Sequence, residues 1–193
     1  MQHLTATVSV LLVASGAVWF VIELRHSVAA DRPEAVKADR GSRIVLAVGV
    51  AVGFDTAFGI YHAVPAAAMR DAGRAAWVGL GIFWCGIGLR LWSFRTLGRY
   101  FTFTVQTSAD QPVITAGPYR VVRHPSYTGV LLAGIGLSLL LFANWLSLVI
   151  ATVGVMVGLG YRIRVEERAL LVQLGDGYRR YAATRKRLVP YVW

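Results

Sequence analysis

Five long apolar runs constrain this chain more than any other feature: residues 4–22, 44–64, 75–94, 127–142 and 145–161. A helix that crosses a bilayer needs about 20 mostly apolar residues, within a range of roughly 17–25. The runs meet or approach that length, although Arg90 interrupts the third. The last two are a little short, and only Ala143 and Asn144 separate them. That spacing predicts a tight helical hairpin, partly shielded by protein. The chain has 193 residues, of which 56% are hydrophobic and 16% charged, and a mean hydropathy of +0.55. A soluble domain of this size carries more charge and fewer unbroken apolar runs. The expected fold is all-α: a polytopic membrane protein with about five transmembrane helices and a cytoplasmic C-terminal helical segment.

The net charge of +10 raises the question of a nucleic-acid partner, and its distribution answers it. Basic residues collect in the first loop (Arg25 to Arg43), in the third (Arg95 to Arg123) and after the fifth run (Arg162 to Arg187), with Arg70 and Arg74 alone on the opposite side. The positive-inside rule then places the N-terminus outside and the C-terminus in the cytoplasm. Topology and contact with anionic lipid account for the basicity, so no nucleic-acid module is needed. The first run follows Met1-Gln2-His3, without a basic side chain of the Lys or Arg type, and exceeds a signal-peptide core, so it reads as an uncleaved helix. Cys85 is the one cysteine and lies mid-span, which excludes a disulfide framework and a cysteine-based metal site. No P-loop, metal-ligand spacing or nucleophile elbow is present.

The informative residues lie on two segments that flank the hairpin. Residues 1–95 read as three N-terminal helices. Residues 96–193 read as a binding loop, the helical hairpin and C-terminal cytoplasmic helices, all parts of one integrated domain. The loop ends in GPYRVVRHPSYTG, residues 117–129. Proline fixes its own φ and restrains the residue before it, so Gly117-Pro118 and His124-Pro125 predict two turns. Between and beside them, Tyr119, Arg123, His124 and Tyr127 are held at the mouth of the fourth span. An interfacial belt explains each residue singly; two turns bracketing Tyr, Arg and His favour a ligand loop.

After the fifth run, Arg162 and Glu166 are four apart and share a helix face. Charges at a membrane boundary are costly and usually face a polar interior. A guanidinium there suits a carboxylate, and a carboxylate suits an ammonium or sulfonium. Glu167 lies about 100° around the helix and serves a different group. Gly175 to Gly177 should break this helix, with a second short helix through Tyr178 and Tyr181 that ends before Pro190. Asp55 lies mid-span with His62 on a similar face, and Arg90 is a candidate partner. The glycines at 79, 81, 86, 88, 134 and 136 suit helix packing better than nucleotide binding. Gly158-Leu-Gly160 is a weak sign of close ligand approach.

These residues resemble the isoprenylcysteine carboxyl methyltransferase family. The matching pattern runs through Leu97-Gly98, GPYRVVRHPSYTG and EERALLVQLGDGYRRYAATRKRLVP, about half the chain. The resemblance implies an integral-membrane methyltransferase that uses S-adenosylmethionine and no metal, with a lipophilic acceptor entering between helices. It implies a cofactor site lined by Gly117, Tyr119, Arg123, His124, Pro125, Tyr127, Glu167 and Tyr178. Arg162 and Glu166 would sit at the reacting end, Arg162 orienting an acceptor carboxylate. Methylation of a phospholipid amine or small thiol, an NADPH-dependent sterol-type reductase with Arg185, Lys186 and Arg187 on a 2′-phosphate, and a non-catalytic scaffold stay open as alternatives.

Overall fold

The structure is a computed structural model that describes residues 7, 10–17, 19, 21, 36–37, 39–100, 106–107 and 112–193. Among the described residues, four long helices carry the architecture: α1 (Ser42–Ala63), α2 (Ala72–Leu97), α3 (Pro125–Phe142) and α4 (Trp145–Thr184). All four are long and apolar enough to cross a membrane. The expected first span is helical at residues 10–17, and the rest of it lies largely outside the described residues. Leu12 and Trp19 from that segment pack on the Ala76, Leu80 and Phe83 cluster of α2. The first-loop segment of residues 22–35 lies outside the described residues. Just beyond it, β1 (Val36–Lys37) pairs antiparallel with β2 (Gln106–Thr107), the small strand ladder of an otherwise helical chain.

Small residues set how the helices meet. The most extensive packing joins α2 to α3 and α1 to α4. Gly79 and Gly86 of α2 lie against Gly136 and Gly129 of α3, so close that a Cβ built on Gly136 would stand 2.5 Å from the Gly79 carbonyl oxygen and the Phe83 nitrogen. Gly49 and Gly53 meet Gly154 in the same way, and Gly158 touches the Leu46 backbone. In lipid, where apolar burial between helices gains little, such backbone approach is a main source of association. Gly158 therefore serves helix packing, while Gly160 has open space around it. Gly81 and Gly88 have open space around them. We expect Gly136→Ala to lower the thermal unfolding temperature in detergent, because a clash costing about 1–3 kcal/mol outweighs the gain of up to about 1 kcal/mol in helix propensity. Gly81→Ala should leave it unchanged or raised. Equal behaviour of the two variants would overturn this account of the α2–α3 contact.

The hairpin turn forms as its two linking residues suggest. Ala143 adopts a left-handed conformation (φ 43°), and Asn144 caps α4 by accepting from the Leu146 and Ser147 amides at 3.0 Å. Asn144 Nδ2 also donates to the Val64 carbonyl at 3.1 Å, tying this turn to the α1–α2 connection. The opposite ends of the bundle gather the start of α1, the end of α2, the start of α3 and the middle of α4 on one side.

α4 has 40 residues, which at 1.5 Å each makes about 60 Å, twice the hydrocarbon thickness. Its apolar part ends near Tyr161, so the charged half projects beyond the membrane. Gly175 interrupts it with φ 53° and ψ −130°, dividing it where the glycines predict. Asp55 is exposed on α1, and Arg90 turns instead to Ser126, donating to its hydroxyl at 2.7 Å and lying over the Phe94 ring. The expected Asp55–Arg90 pairing is thus replaced. α1 packs on α4, while Arg90 lies at the α2–α3 seam.

Candidate active site

The expected binding loop is built by the two X-Pro turns and held by the chain's last segment. Gly117 opens a short 3₁₀ turn with φ 53°, and a Cβ there would meet the Thr96 hydroxyl at 2.7 Å. The loop therefore folds against the end of α2 only with glycine at 117. Pro125 is fully buried in the first turn of α3, where its missing N–H costs nothing. The Arg123 and His124 amides donate to the Lys186 and Arg187 carbonyls at 2.8 and 3.0 Å. Arg123 Nη1 donates to the Ala182 carbonyl, the Tyr181 hydroxyl to the Tyr119 carbonyl, and Thr128 Oγ1 to the Leu188 carbonyl. Residues 181–188 and the loop are one unit.

At its centre lies Glu167, only 9% exposed. Arg123 Nη2 reaches its Oε1 at 2.8 Å, and His124 Nε2 lies 3.2 Å from the same oxygen. Arg187 donates through Nε and Nη2 to Oε2 at 3.0 and 2.8 Å. Burial raises this carboxyl's pKa, but hydrogen bonds from His124 and Arg187 and the Arg123 charge outweigh it, bringing the pKa down to about 2. Glu167 is an anion at any physiological pH.

A second group adjoins the first through His124, whose Nδ1 lies 3.8 Å from Glu166 Oε1 and whose ring stacks on Tyr127 at 5.6 Å. Arg162, 5% exposed, donates from Nε to the Tyr127 hydroxyl oxygen at 2.8 Å, and that hydroxyl donates to Glu166 Oε2. Arg162 and Glu166 share a helix face as their spacing predicts, and Tyr127 bridges them. Arg162 Nη1 also donates to Asp39 Oδ1 at 3.2 Å and Ser42 Oγ at 3.1 Å.

The structure thus brings Arg123, His124, Tyr127, Arg162, Glu166 and Glu167 together. Tyr119 and Tyr178 are buried beside them, and burial raises the pKa of both hydroxyls. Gly117 lies apart, against Thr96 and Trp92. Three contributors escaped the sequence reading of the site. Arg187 entered only as a contact for a 2′-phosphate in the reductase alternative, Asp39 lies among the basic residues of the first loop, and Ser42 precedes the hydropathy signal. The sequence did carry one faint sign of the last two: an Asp three residues before a Ser, at the entry to an apolar run.

A cavity of about 270 Å³ opens beside this cluster, lined by Arg123, Arg185, Lys186, Arg187 and Trp193 among others. Among the described residues, two buried polar atoms here have no partner, Arg123 Nε and the Tyr178 hydroxyl. Buried donors without partners are rare and point to a missing acceptor. Among the described residues, no group of His, Cys, Asp and Glu could hold a metal ion.

Comparison with known proteins finds relatives of this chain. The profile of the "Isoprenylcysteine carboxyl methyltransferase (ICMT) family" matches residues 77–172. The chain is 33% identical over 116 residues to protein-S-isoprenylcysteine O-methyltransferase B of Arabidopsis thaliana, covering 59% of this chain and 58% of that protein. It is 32% identical over 126 residues to a probable protein-S-isoprenylcysteine O-methyltransferase of Oryza sativa subsp. indica, covering 64% and 65%. The chain thus spans less than two thirds of these relatives' length. Its fold is similar to a solved eukaryotic intramembrane Ras methyltransferase ICMT, with a TM-score of 0.61, 28% identity, and coverage of 79% of this chain and 53% of that one.

Proposed function

Residues 77–172 carry the pattern of the isoprenylcysteine carboxyl methyltransferase family, and on that premise we propose that this integral-membrane protein transfers a methyl group from S-adenosylmethionine to the carboxylate of a lipophilic, isoprenylcysteine-like acceptor. The observation that carries the reading is the joining of two charged sites through His124. One is an anion held among cations, Glu167 with Arg123 and Arg187; the other is a buried guanidinium, Arg162, at the end of the membrane-spanning part of α4.

The first site fits the cofactor. S-adenosylmethionine, when bound, supplies a methyl group activated on a positive sulfonium. Arg123 Nε and the Tyr178 hydroxyl are buried donors that suit the acceptors of such a molecule, Glu166 suits its positive groups, and Glu167 holds Arg123, His124 and Arg187 in place around it. Tyr119, His124 and Tyr127 wall the same region, while Gly117 and Pro125 shape the loop that carries them. Arg162 holds the acceptor's carboxylate in line, and the buried surroundings of both sites exclude water. A carboxylate arrives ionised, so the chain supplies orientation and dehydration and needs no general base.

The alternatives fare less well. A phospholipid amine would meet the Arg162 cation at the reacting end. Arg187, one of the residues available for a 2′-phosphate, is occupied by Glu167. The positive-inside rule orients the site toward the cytoplasm, with the N-terminus outside. Residues 96–193 supply the cofactor site, and residues 1–95 supply the wall along which the lipophilic group enters, within one integrated domain. Trp77, Trp84 and Trp92 of α2 are exposed and would give that wall apolar surface.

Calorimetric titration of the detergent-purified protein tests the cofactor assignment. S-adenosylmethionine and S-adenosylhomocysteine should bind saturably, and His124→Ala should weaken both by at least about tenfold. Binding of NADPH alone would move the protein to the reductases; binding of none by folded protein would favour the scaffold.

A further inference from the structure

We propose that Asp39, in the loop before α1, is a positioning residue for the reaction, acting through Arg162. The proposal rests on the reading that Arg162 receives the acceptor's carboxylate. Asp39 lies 123 residues before Arg162 in sequence, yet its Oδ1 accepts from Arg162 Nη1 at 3.2 Å. The same oxygen accepts from the Ser42 hydroxyl at 2.8 Å, and Ser42 Oγ accepts from Arg162 Nη1 at 3.1 Å. Asp39, Ser42 and Arg162 therefore close a three-membered ring of hydrogen bonds. Its members are well shielded: Ser42 is 0% exposed, and the Arg162 and Asp39 side chains are 6% and 17% exposed.

With Nε directed at Tyr127 and Nη1 at Asp39 and Ser42, the guanidinium plane is fixed from two sides. A planar donor fork gains most when it is held before its ligand arrives. The loop that brings Asp39 here is itself tied down: β1 pairs with β2 just ahead of it, and the Ser42 amide donates to the Asp39 carbonyl at 2.8 Å.

Asp39 also lies where a capping residue would, near the first turn of α1, and its Oδ2 is 3.5 Å from the Arg43 amide. That contact is at the edge of hydrogen-bond length, whereas the ring with Ser42 and Arg162 is shorter throughout. A capping role alone changes stability and leaves the balance between the two substrates untouched. A positioning role changes turnover of the acceptor and leaves the cofactor alone.

The experiment measures methyl transfer from S-adenosylmethionine to an N-acetyl S-farnesyl cysteine for wild type, Asp39→Ala, Asp39→Asn and Arg162→Lys, and for Asp39→Ala combined with Arg162→Lys. Asp39→Ala should lower kcat/KM for the acceptor by about 10–100-fold, the scale of a small misplacement in a reacting pair, with KM for S-adenosylmethionine within twofold. Asp39→Asn keeps an acceptor for Ser42 and removes the charge facing Arg162, so it guards against a variant that fails to fold and should lie between the two. In the Arg162→Lys background, Asp39→Ala should add little. Equal losses in both backgrounds, or parallel losses for acceptor and cofactor, would overturn the positioning role. If Arg162→Lys itself left acceptor turnover intact, the reading of Arg162 would fail and this inference with it.

Discussion

Arg162→Lys should lower kcat/KM for a prenylated cysteine acceptor by about 10²–10³, while affinity for S-adenosylhomocysteine stays within about threefold. The substitution keeps the charge and discards the fork. Arginine directs Nε to Tyr127 and Nη1 to Asp39 and Ser42 within one rigid plane. A lysine ammonium is a compact point charge on a flexible stem, with three donors radiating from one atom. It has no means of meeting Tyr127 and Asp39 in their present directions and still facing a carboxylate. Loss of alignment in a two-substrate transfer costs on the order of 10² for about 1 Å of misplacement, and loss of a preorganised charge contact adds to it. The measurement is transfer of a labelled methyl group, paired with calorimetric titration of S-adenosylhomocysteine. Wild-type turnover in the variant would remove Arg162 from the reacting end. A loss confined to S-adenosylhomocysteine binding would move it to the cofactor site.

Which parts of this molecule could be read from sequence follows from the range of the interactions involved. The described membrane helices were legible because hydropathy is a local property, and the Ala143-Asn144 turn because a two-residue break with a helix-capping asparagine between apolar runs has few other uses. The divergence of Glu166 and Glu167 was legible too, since adjacent helical residues point about 100° apart: Glu166 reaches Tyr127 and Glu167 reaches Arg123 and Arg187, with His124 between the two carboxylates. The rotation of α1 and α2 about their axes was not. A helix apolar on all sides has no periodic stripe to mark its inner face, so Asp55 was expected to meet Arg90 and instead lies exposed. Asp39 and Arg187 were hidden for another reason. Their contacts with Arg162 and Glu167 span 123 and 20 residues and depend on how a loop and a C-terminal segment fold back. Pairs of that kind leave no spacing in a sequence. Tyr127 lies between these cases: its place on the binding loop was readable, whereas its bridging of Arg162 to Glu166 required the packing of α3 on α4.

The second large effect is expected at Glu167, whose neutral replacement Glu167→Gln should destabilise the protein by about 3–5 kcal/mol, the cost of breaking a buried ion pair from one side. The amide fills the same space, so packing is retained. What it removes is the negative charge between Arg123 and Arg187, which leaves two guanidiniums facing each other across a buried imidazole. The cluster adds to the hydrogen bonds that join the loop to the C-terminal segment and fixes Arg123 and Arg187 beside the cavity, so S-adenosylhomocysteine affinity should fall at least about thirtyfold. The pH dependence separates the charge from the shape. The Glu167 pKa is lowered from 4.5 to about 2 in the folded protein. A depressed carboxyl contributes stability that is fully present above its unfolded value and is lost as pH falls through the folded one. The difference in thermal unfolding temperature between wild type and Glu167→Gln should therefore be constant from pH 7 down to about 5 and shrink as pH falls from about 4.5 toward 2. Other carboxylates titrate in the same range, but they do so in both proteins and cancel in the difference. A difference that held its full size at pH 2 would show that the amide disturbs packing rather than charge. One absent at pH 7 would mean that Arg123 and Arg187 do not depend on Glu167, and that the other hydrogen bonds to residues 181–188 suffice to hold the loop.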